Sequence, residues 1–221
     1  MITKCAHCYT SEKEKPLQSC AACKAAKYCS KECQRTDWKK HKLVCHNNVT
    51  LVNALKEHDS SPDAQGGLSL FELDQRLEKW VRFHNATLTA ACLQAVRAPA
   101  DATNIRNNVL HVTVAPRDDH GGAPGKFFRV VDARPVPVQD GMRRPAPWPE
   151  SLLQLRAMQD DCEKAKKAGM LGATLVECPP LPVQTVPFGS ITNIDQLELS
   201  PDWKEELVQN VEDGVRPVAD A

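Results

Sequence analysis

The spacing of cysteine in the first 45 residues constrains this chain more than any other feature. The pairs run Cys5-x2-Cys8, Cys20-x2-Cys23, Cys29-x3-Cys33 and His41-x3-Cys45. A Cys-x2-Cys pair turns in a tight knuckle and offers two sulfurs along one edge of a tetrahedron, with Zn–S distances of ~2.3 Å. An i,i+4 pair does the same from one face of a helix. Four pairs supply ligands for two closed four-ligand sites. Closed sites are structural rather than catalytic, because no position is left for water or substrate. Seven of the ten cysteines lie in this segment. Such density means disulfides in a secreted domain or metal in an intracellular one. The start, Met1-Ile2-Thr3-Lys4-Cys5, has no apolar signal core. An intracellular protein, nuclear or cytoplasmic and not secreted, is therefore expected, with metal in place of disulfides.

Helix geometry separates the pairs further. Ser30 suits an N-cap, and Lys31 to about Leu43 contains no Gly or Pro. On such a helix Cys33 and His41 stand ~12 Å apart along the axis and ~80° apart around it. Side chains so short do not converge on one ion. Cys29/Cys33 and His41/Cys45 are thus expected in different sites, each completed by a knuckle from the earlier segment. That makes a cross-braced module.

The ligand order C-C-C-C-C-C-H-C, the segment Lys27-Tyr28-Cys29-Ser30-Lys31-Glu32-Cys33-Gln34 and the segment Asp37-Trp38-Lys39-Lys40-His41-Lys42 resemble a MYND-type zinc finger. The likeness spans about a fifth of the chain. It implies two Zn²⁺ ions, the first held by Cys5, Cys8, Cys29 and Cys33, the second by Cys20, Cys23, His41 and Cys45. His7 and His46 are not used in the family pattern. Gln34 and Trp38 lie one helical turn apart and share a face. Peptide-binding members of the family carry Gln and Trp at these positions, where they receive proline-rich segments. Trp38 also reads as the apolar cap of a very small core, with Gln34 solvated, and one Trp can serve both ends. Peptide-binding relatives can carry Ser after the first Cys of the second knuckle, where this chain has Ala21.

The formal charge of zero hides a split. Residues 1–48 carry ten basic and four acidic side chains, 10 − 4 = +6, and the remainder 18 − 24 = −6. A basic head suggests nucleic acid. Zinc weakens that reading: seven thiolates and two Zn²⁺ add −7 + 4 = −3 to the head. A nucleic-acid-binding or transcription-associated protein acting through Lys39, Lys40 and Lys42 is the alternative reading.

Beyond the finger, residues 49–68 read as a helix extension and a linker, rich in breakers from Ser60 to Gly67. Residues 69–216 read as an α+β domain of order α-β-β-α-β-β-α. Its first helix carries an apolar stripe from Leu70 to Ala95, through Leu73, Leu77, Trp80 and Leu88, with His84 on that stripe as a core histidine. Strands follow at Val109–Val114 and Phe127–Asp132, joined by a hairpin loop. Gly121-x3-Gly125-Lys126 in that loop is one residue short of a phosphate loop and leads into a strand. Residues 133–149, with five prolines, read as an extended connection, and Glu150–Lys167 as a helix. Thr174–Glu177 and Val183–Val186 read as proline-interrupted edge strands. A last helix within Asp195–Asp213 has Ser200 as N-cap, Pro201 at its first position and Gly214 closing it. This domain is similar to the uncharacterised one that follows the finger in many fungal MYND proteins.

No apolar run approaches the ~20 residues of a membrane helix. Cys92, Cys162 and Cys178 read as small apolar residues or ordinary thiols. No catalytic signature surrounds them or His84, His111 and His120, and the Asp160-Asp161 pair reads as a solvated face, so no enzymatic activity is expected. The expected function is protein interaction through proline- and leucine-containing segments of partners, with zinc structural. Pro179-Pro180-Leu181-Pro182 resembles such a ligand. It reads either as a segment able to occupy the finger's own groove or as a proline-broken edge.

Overall fold

A computed structural model describes residues 5–59, 68–164, 170–191 and 194–215. The chain divides into two compact units, residues 1–73 and 74–221. The breaker-rich stretch 60–67 lies outside the described residues.

In the first unit a small hairpin, β1 (Gln18–Ser19) and β2 (Lys27–Tyr28), pairs antiparallel. It leads to α1 (Lys31–Asp59). Ser30 caps this helix, its hydroxyl accepting from the Cys33 N–H at 3.2 Å, so one orphan donor of the first turn is satisfied. The finger helix and its extension are one continuous element. Its buried residues are His41, Cys45 and Leu55. Beyond the finger it runs on good helix formers such as Leu51, Ala54, Lys56 and Glu57. Asp59 at its end accepts from the backbone N–H groups of Leu70 and Phe71, at 2.8 and 2.9 Å. These are first-turn donors of the next helix, α2 (Leu70–Phe83). Ser69 caps the same turn through the Glu72 N–H.

The single long helix expected over 69–97 is two helices, α2 and α3 (Asn85–Ala95). The break falls at His84, which leaves helical geometry (φ −91°, ψ 14°). Its ring lies 4.9 Å from those of Trp80 and Phe83, and its Nε2 bonds the Gly125 carbonyl at 2.7 Å. His84 is thus a core histidine, and the break between the helices falls where its side chain bonds a carbonyl 41 residues away. Leu73, Leu77, Trp80 and Leu88 are all buried.

After the one-turn α4 (Asn104–Asn107) come β3 (Asn108–Pro116), β4 (Phe128–Pro137), α5 (Val138–Gly141), α6 (Trp148–Lys164), β5 (Met170–Glu177), β6 (Gln184–Ile191) and α7 (Trp203–Asp213). The sheet order is β4-β3-β5-β6, with β3 and β5 parallel and the other pairs antiparallel. With the finger, the architecture is α+β. The expected extended connection from residue 133 is instead more of β4, which runs to Pro137 with Pro135 opposite Leu110. Proline is tolerated there because β4 is an edge. The same holds for Pro187 in β6. β5, expected at an edge, lies inside the sheet; its prolines come only after it ends.

Both faces of the sheet are covered. Trp148, Leu152 and Leu155 of α6 pack with Val109, Ala173 and Leu175 on one face. On the other, α3 bonds β5 through Cys92 Sγ to the Ala173 carbonyl and Thr174 Oγ1 to the Leu88 carbonyl. α7 packs on that side with α3 and β4. Two-sided burial explains the unbroken run Val109-Leu110-His111-Val112, all buried. α7 begins at Trp203 with Asp202 at its N-cap, two residues past the expected start. Ser200 instead bonds Glu206 and Gln94. Gly214 closes the helix in the left-handed region, φ 64°, as its position indicates.

Candidate metal centre

The two knuckles are built alike. The Tyr9 N–H returns to the Cys5 carbonyl and the Lys24 N–H to the Cys20 carbonyl, each at 3.0 Å. Tyr9 and Lys24 hold φ of 63° and 60°. The first-cysteine N–H groups are tied to the Thr10 and Ala26 carbonyls. Each knuckle is thus a closed turn that aims two sulfurs to one side. Helix α1 supplies Cys33 from its first turn, His41 from about two turns further on and Cys45 from about three.

The chain brings Cys5, Cys8, Cys29 and Cys33 together, and separately Cys20, Cys23, His41 and Cys45, with the ligand atoms of each group within 4.8 Å of one another. A tetrahedron with Zn–S of ~2.3 Å has S···S edges of about 3.8 Å, and S···N edges of about 3.5 Å with nitrogen at ~2.0 Å. The observed edges are 3.4 Å for Cys8–Cys29, 3.5 Å for Cys29–Cys33 and 3.8 Å for Cys20–Cys45, with 3.5 Å from Cys23 Sγ to His41 Nε2. Both groups therefore fit Zn²⁺ in size and donor type. His7 and His46 are exposed and belong to neither.

Thiols this close compete for protons. Hydrogen bonds from Thr10 bring Cys8 down to about 6, while those with Cys8 and Cys33 push Cys29 up to about 12. Burial raises Cys20, but the Cys23 N–H and His41 outweigh it and bring Cys20 down to about 6. A divalent cation removes the competition, since a coordinating thiol is deprotonated outright.

Several residues beyond the ligands shape the second group; for Tyr28 and Asp37 the sequence signalled no such role, and for Gln34 and Trp38 it signalled a peptide face rather than a contact with the ligands. Tyr28 is buried, donates its hydroxyl to Asp37 Oδ2 at 2.7 Å and meets the His41 ring edge-on at 5.9 Å. Burial, then Asp37, raises the pKa of its phenol. Gln34 Nε2 lies 3.7 Å from Cys20 Sγ, so Gln34 is tied to the site rather than simply solvated. Trp38 sets one edge against His41 at 6.1 Å yet remains 43% exposed. Of the other cysteines, Cys92 and Cys178 are buried, and burial pushes their thiols up to about 12 and 11. The Asp160-Asp161 pair is not merely solvated: Asp160 pairs with Arg106 at 2.6 Å. Among the described residues no helix is long and apolar enough to cross a membrane.

Residues 5–45 match the family model for the MYND finger. The same region is similar to SET domain-containing protein 14 of Caenorhabditis elegans, 50% identical over 50 residues (20% of this chain, 11% of that protein). It is also similar to human N-lysine methyltransferase SMYD2, 46% identical over 41 residues (19% and 9%). A third relative is the Hypoxia-inducible factor prolyl hydroxylase of C. elegans, 41% identical over 49 residues (22% and 7%). The chain thus covers only a small part of the length of the relatives it matches, and no solved structure matches it.

These relatives correct the expectation that the protein is not an enzyme. That expectation rested on the lack of a recognised catalytic signature. The relatives show the same finger in a methyltransferase and a hydroxylase. A finger folds around its own metal and leaves the chemistry of the rest of its chain open. The likeness ends with the finger and assigns no reaction to the other four fifths. Residues 5–45 of this chain are a MYND finger, a protein-interaction module with two four-ligand sites of zinc-binding type.

Proposed function

We propose that Cys5, Cys8, Cys29 and Cys33 hold one zinc and Cys20, Cys23, His41 and Cys45 the other, and that the finger so braced receives a proline- and leucine-containing segment of a partner protein at Gln34 and Trp38. The zincs are structural, because eight ligands close both tetrahedra. Thiolate sites of this kind suit a reducing compartment, which supports an intracellular location, nuclear or cytoplasmic. The observation that carries the peptide reading is Trp38, a large aromatic left 43% exposed while one edge rests on the buried His41. Half-supported and half-open, the ring is a rigid platform. Gln34, one turn away, is held by Cys20 Sγ and keeps a carbonyl and a donor for a peptide backbone. A polyproline segment arrives already extended, so little ordering entropy is lost on docking. Ala21 in place of Ser removes one hydrogen-bonding group and lowers the affinity.

The test is a fluorescence titration of the full-length protein with a labelled Pro-Pro-Leu peptide. Trp38→Ala should weaken binding by roughly thirtyfold, the size of a hot-spot truncation, with zinc content unchanged. Binding that survives Trp38→Ala places the groove elsewhere.

The chain's own Pro-Pro-Leu-Pro segment is a poor occupant for that groove. Leu181 is 4% exposed and lines a pocket with Trp148 of its own unit. An apolar side chain already buried gains nothing by moving to the finger. Nor is the segment a strand: it is the turn between β5 and β6, with the Leu181 N–H on the Cys178 carbonyl.

A further inference from the structure

The second unit contains a pocket of about 440 Å³ that the finger does not account for. Its volume lies within the roughly 300–1,000 Å³ of small-molecule sites. Two proline-rich turns wall it, Arg144–Trp148 ahead of α6 and Pro180–Val183 between β5 and β6, with Glu177 at the end of β5 between them.

His111 organises the charged groups. It is 5% exposed, on the face of β3 that meets α6, with its ring edge-on to Trp148 at 4.9 Å and 83°. Arg144 Nη1 lies 3.3 Å from His111 Nδ1. Arginine only donates, so Nδ1 is the acceptor and the ring proton sits on Nε2. That proton is donated to Glu177 Oε2 at 2.8 Å. One neutral imidazole therefore spaces a guanidinium from a carboxylate that it does not touch. The Arg144 guanidinium also lies 4.1 Å over the Trp148 ring. It makes no ion pair with any described carboxylate. It holds a charge in a half-buried place with most of its donor fork unused. Glu177 keeps a second oxygen.

We infer that this pocket binds a small molecule carrying a carboxylate for Arg144 and, beside it, an amino or hydroxyl group for Glu177, on a short apolar body that rests against Leu181 and Val183. An α-amino or α-hydroxy acid meets all three demands. Its two polar groups stand about as far apart as the two ring nitrogens of His111, to which Arg144 and Glu177 are bonded. A guanidinium fork reads a carboxylate in two parallel hydrogen bonds, and such charge-assisted pairs are the strong ones. The cation–π contact with Trp148 fixes the fork in advance, so little side-chain freedom is lost on binding.

The experiment is isothermal titration of the full-length protein with four probes on one carbon skeleton: leucine, its hydroxy-acid analogue, the plain carboxylate and the plain amine. At least one of the first two should bind saturably and at least about tenfold tighter than either single-group probe. Glu177→Gln keeps an acceptor for His111 but loses the charge, and should weaken binding of the better of these two probes by about tenfold or more. Arg144→Gln should abolish binding. Arg144→Lys, which keeps the charge without the fork, should restore only part of it and covers the case in which Arg144→Gln fails to fold. The proposal is overturned if neither leucine nor its hydroxy acid binds saturably, if the plain carboxylate binds as tightly as the better of those two, or if Glu177→Gln or Arg144→Lys leaves the affinity of that better probe unchanged.

Discussion

Two residues show how local chemistry is set against backbone and solvent. Lys24 closes the second knuckle with φ 60°, a conformation that costs a residue with a Cβ roughly 1–2 kcal/mol. Its side chain is exposed, so nothing is lost by removing it. Lys24→Gly should stabilise the first unit by up to about 1 kcal/mol, after the extra entropy that glycine loses on folding. Thermal unfolding followed at fixed zinc would show this; a lower midpoint would mean that Lys24 makes a favourable contact. His111 carries the second case. Burial holds its pKa below the ordinary histidine value, against the opposing pull of Glu177. The unfolded chain then takes up this proton more readily than the folded one as pH drops below ~6.5. Stability should therefore fall between ~6.5 and the lower folded-state value, and level off beneath it. Denaturant melts across that window should show the slope, and His111→Gln should flatten it.

At the scale of elements, α2 and α3 are where periodicity misled. The apolar stripe from Leu70 to Ala95 continues across the break, and neither His84 nor Asn85 is a strong helix breaker. The break coincides with the bond from His84 to the Gly125 carbonyl, a contact that needs the β3–β4 loop in place. Gly125 is present because the loop backbone comes so close: a Cβ there would meet the Phe83 ring at 2.5 Å. Gly125→Ala should cost ~1–3 kcal/mol by overpacking, read as a lower denaturation midpoint of the second unit. An unchanged midpoint would show that Phe83 turns aside freely.

For the whole molecule, the two units rest on different physics. In the first, the finger's core is the small cluster of Cys5, Cys20, Tyr28 and Cys45 with their neighbours. So few apolar groups cannot offset the entropy of ordering the chain, and metal must supply the difference; structural zinc in small fingers is worth ~10–16 kcal/mol. The second has a sheet buried on both faces. We expect metal analysis of the purified full-length protein to return two zincs per chain, and His41→Ala to return one. A strong chelator should abolish amide protection in the finger and leave β3 and β5 protected in hydrogen exchange. Loss of protection in both together would show that the second unit also depends on the metal.

Covalent spacing and helix geometry were enough to bring out the finger. Four short pairs of soft ligands leave few ways to satisfy a tetrahedral ion, and a rigid helix keeps Cys33 and His41 apart. The apolar periodicity of Leu73, Leu77, Trp80 and Leu88 and the closing Gly214 were legible for the same reason: each depends on neighbours within a few residues. Strand order, the length of β4 past its prolines and the break at His84 were not, because edge positions and long-range hydrogen bonds exist only once the sheet is assembled. The meeting of His111, Arg144, Trp148 and Glu177 is of this second kind. They come from β3, the turn before α6, the start of α6 and the end of β5, and only the parallel pairing of β3 with β5 sets Glu177 beside His111.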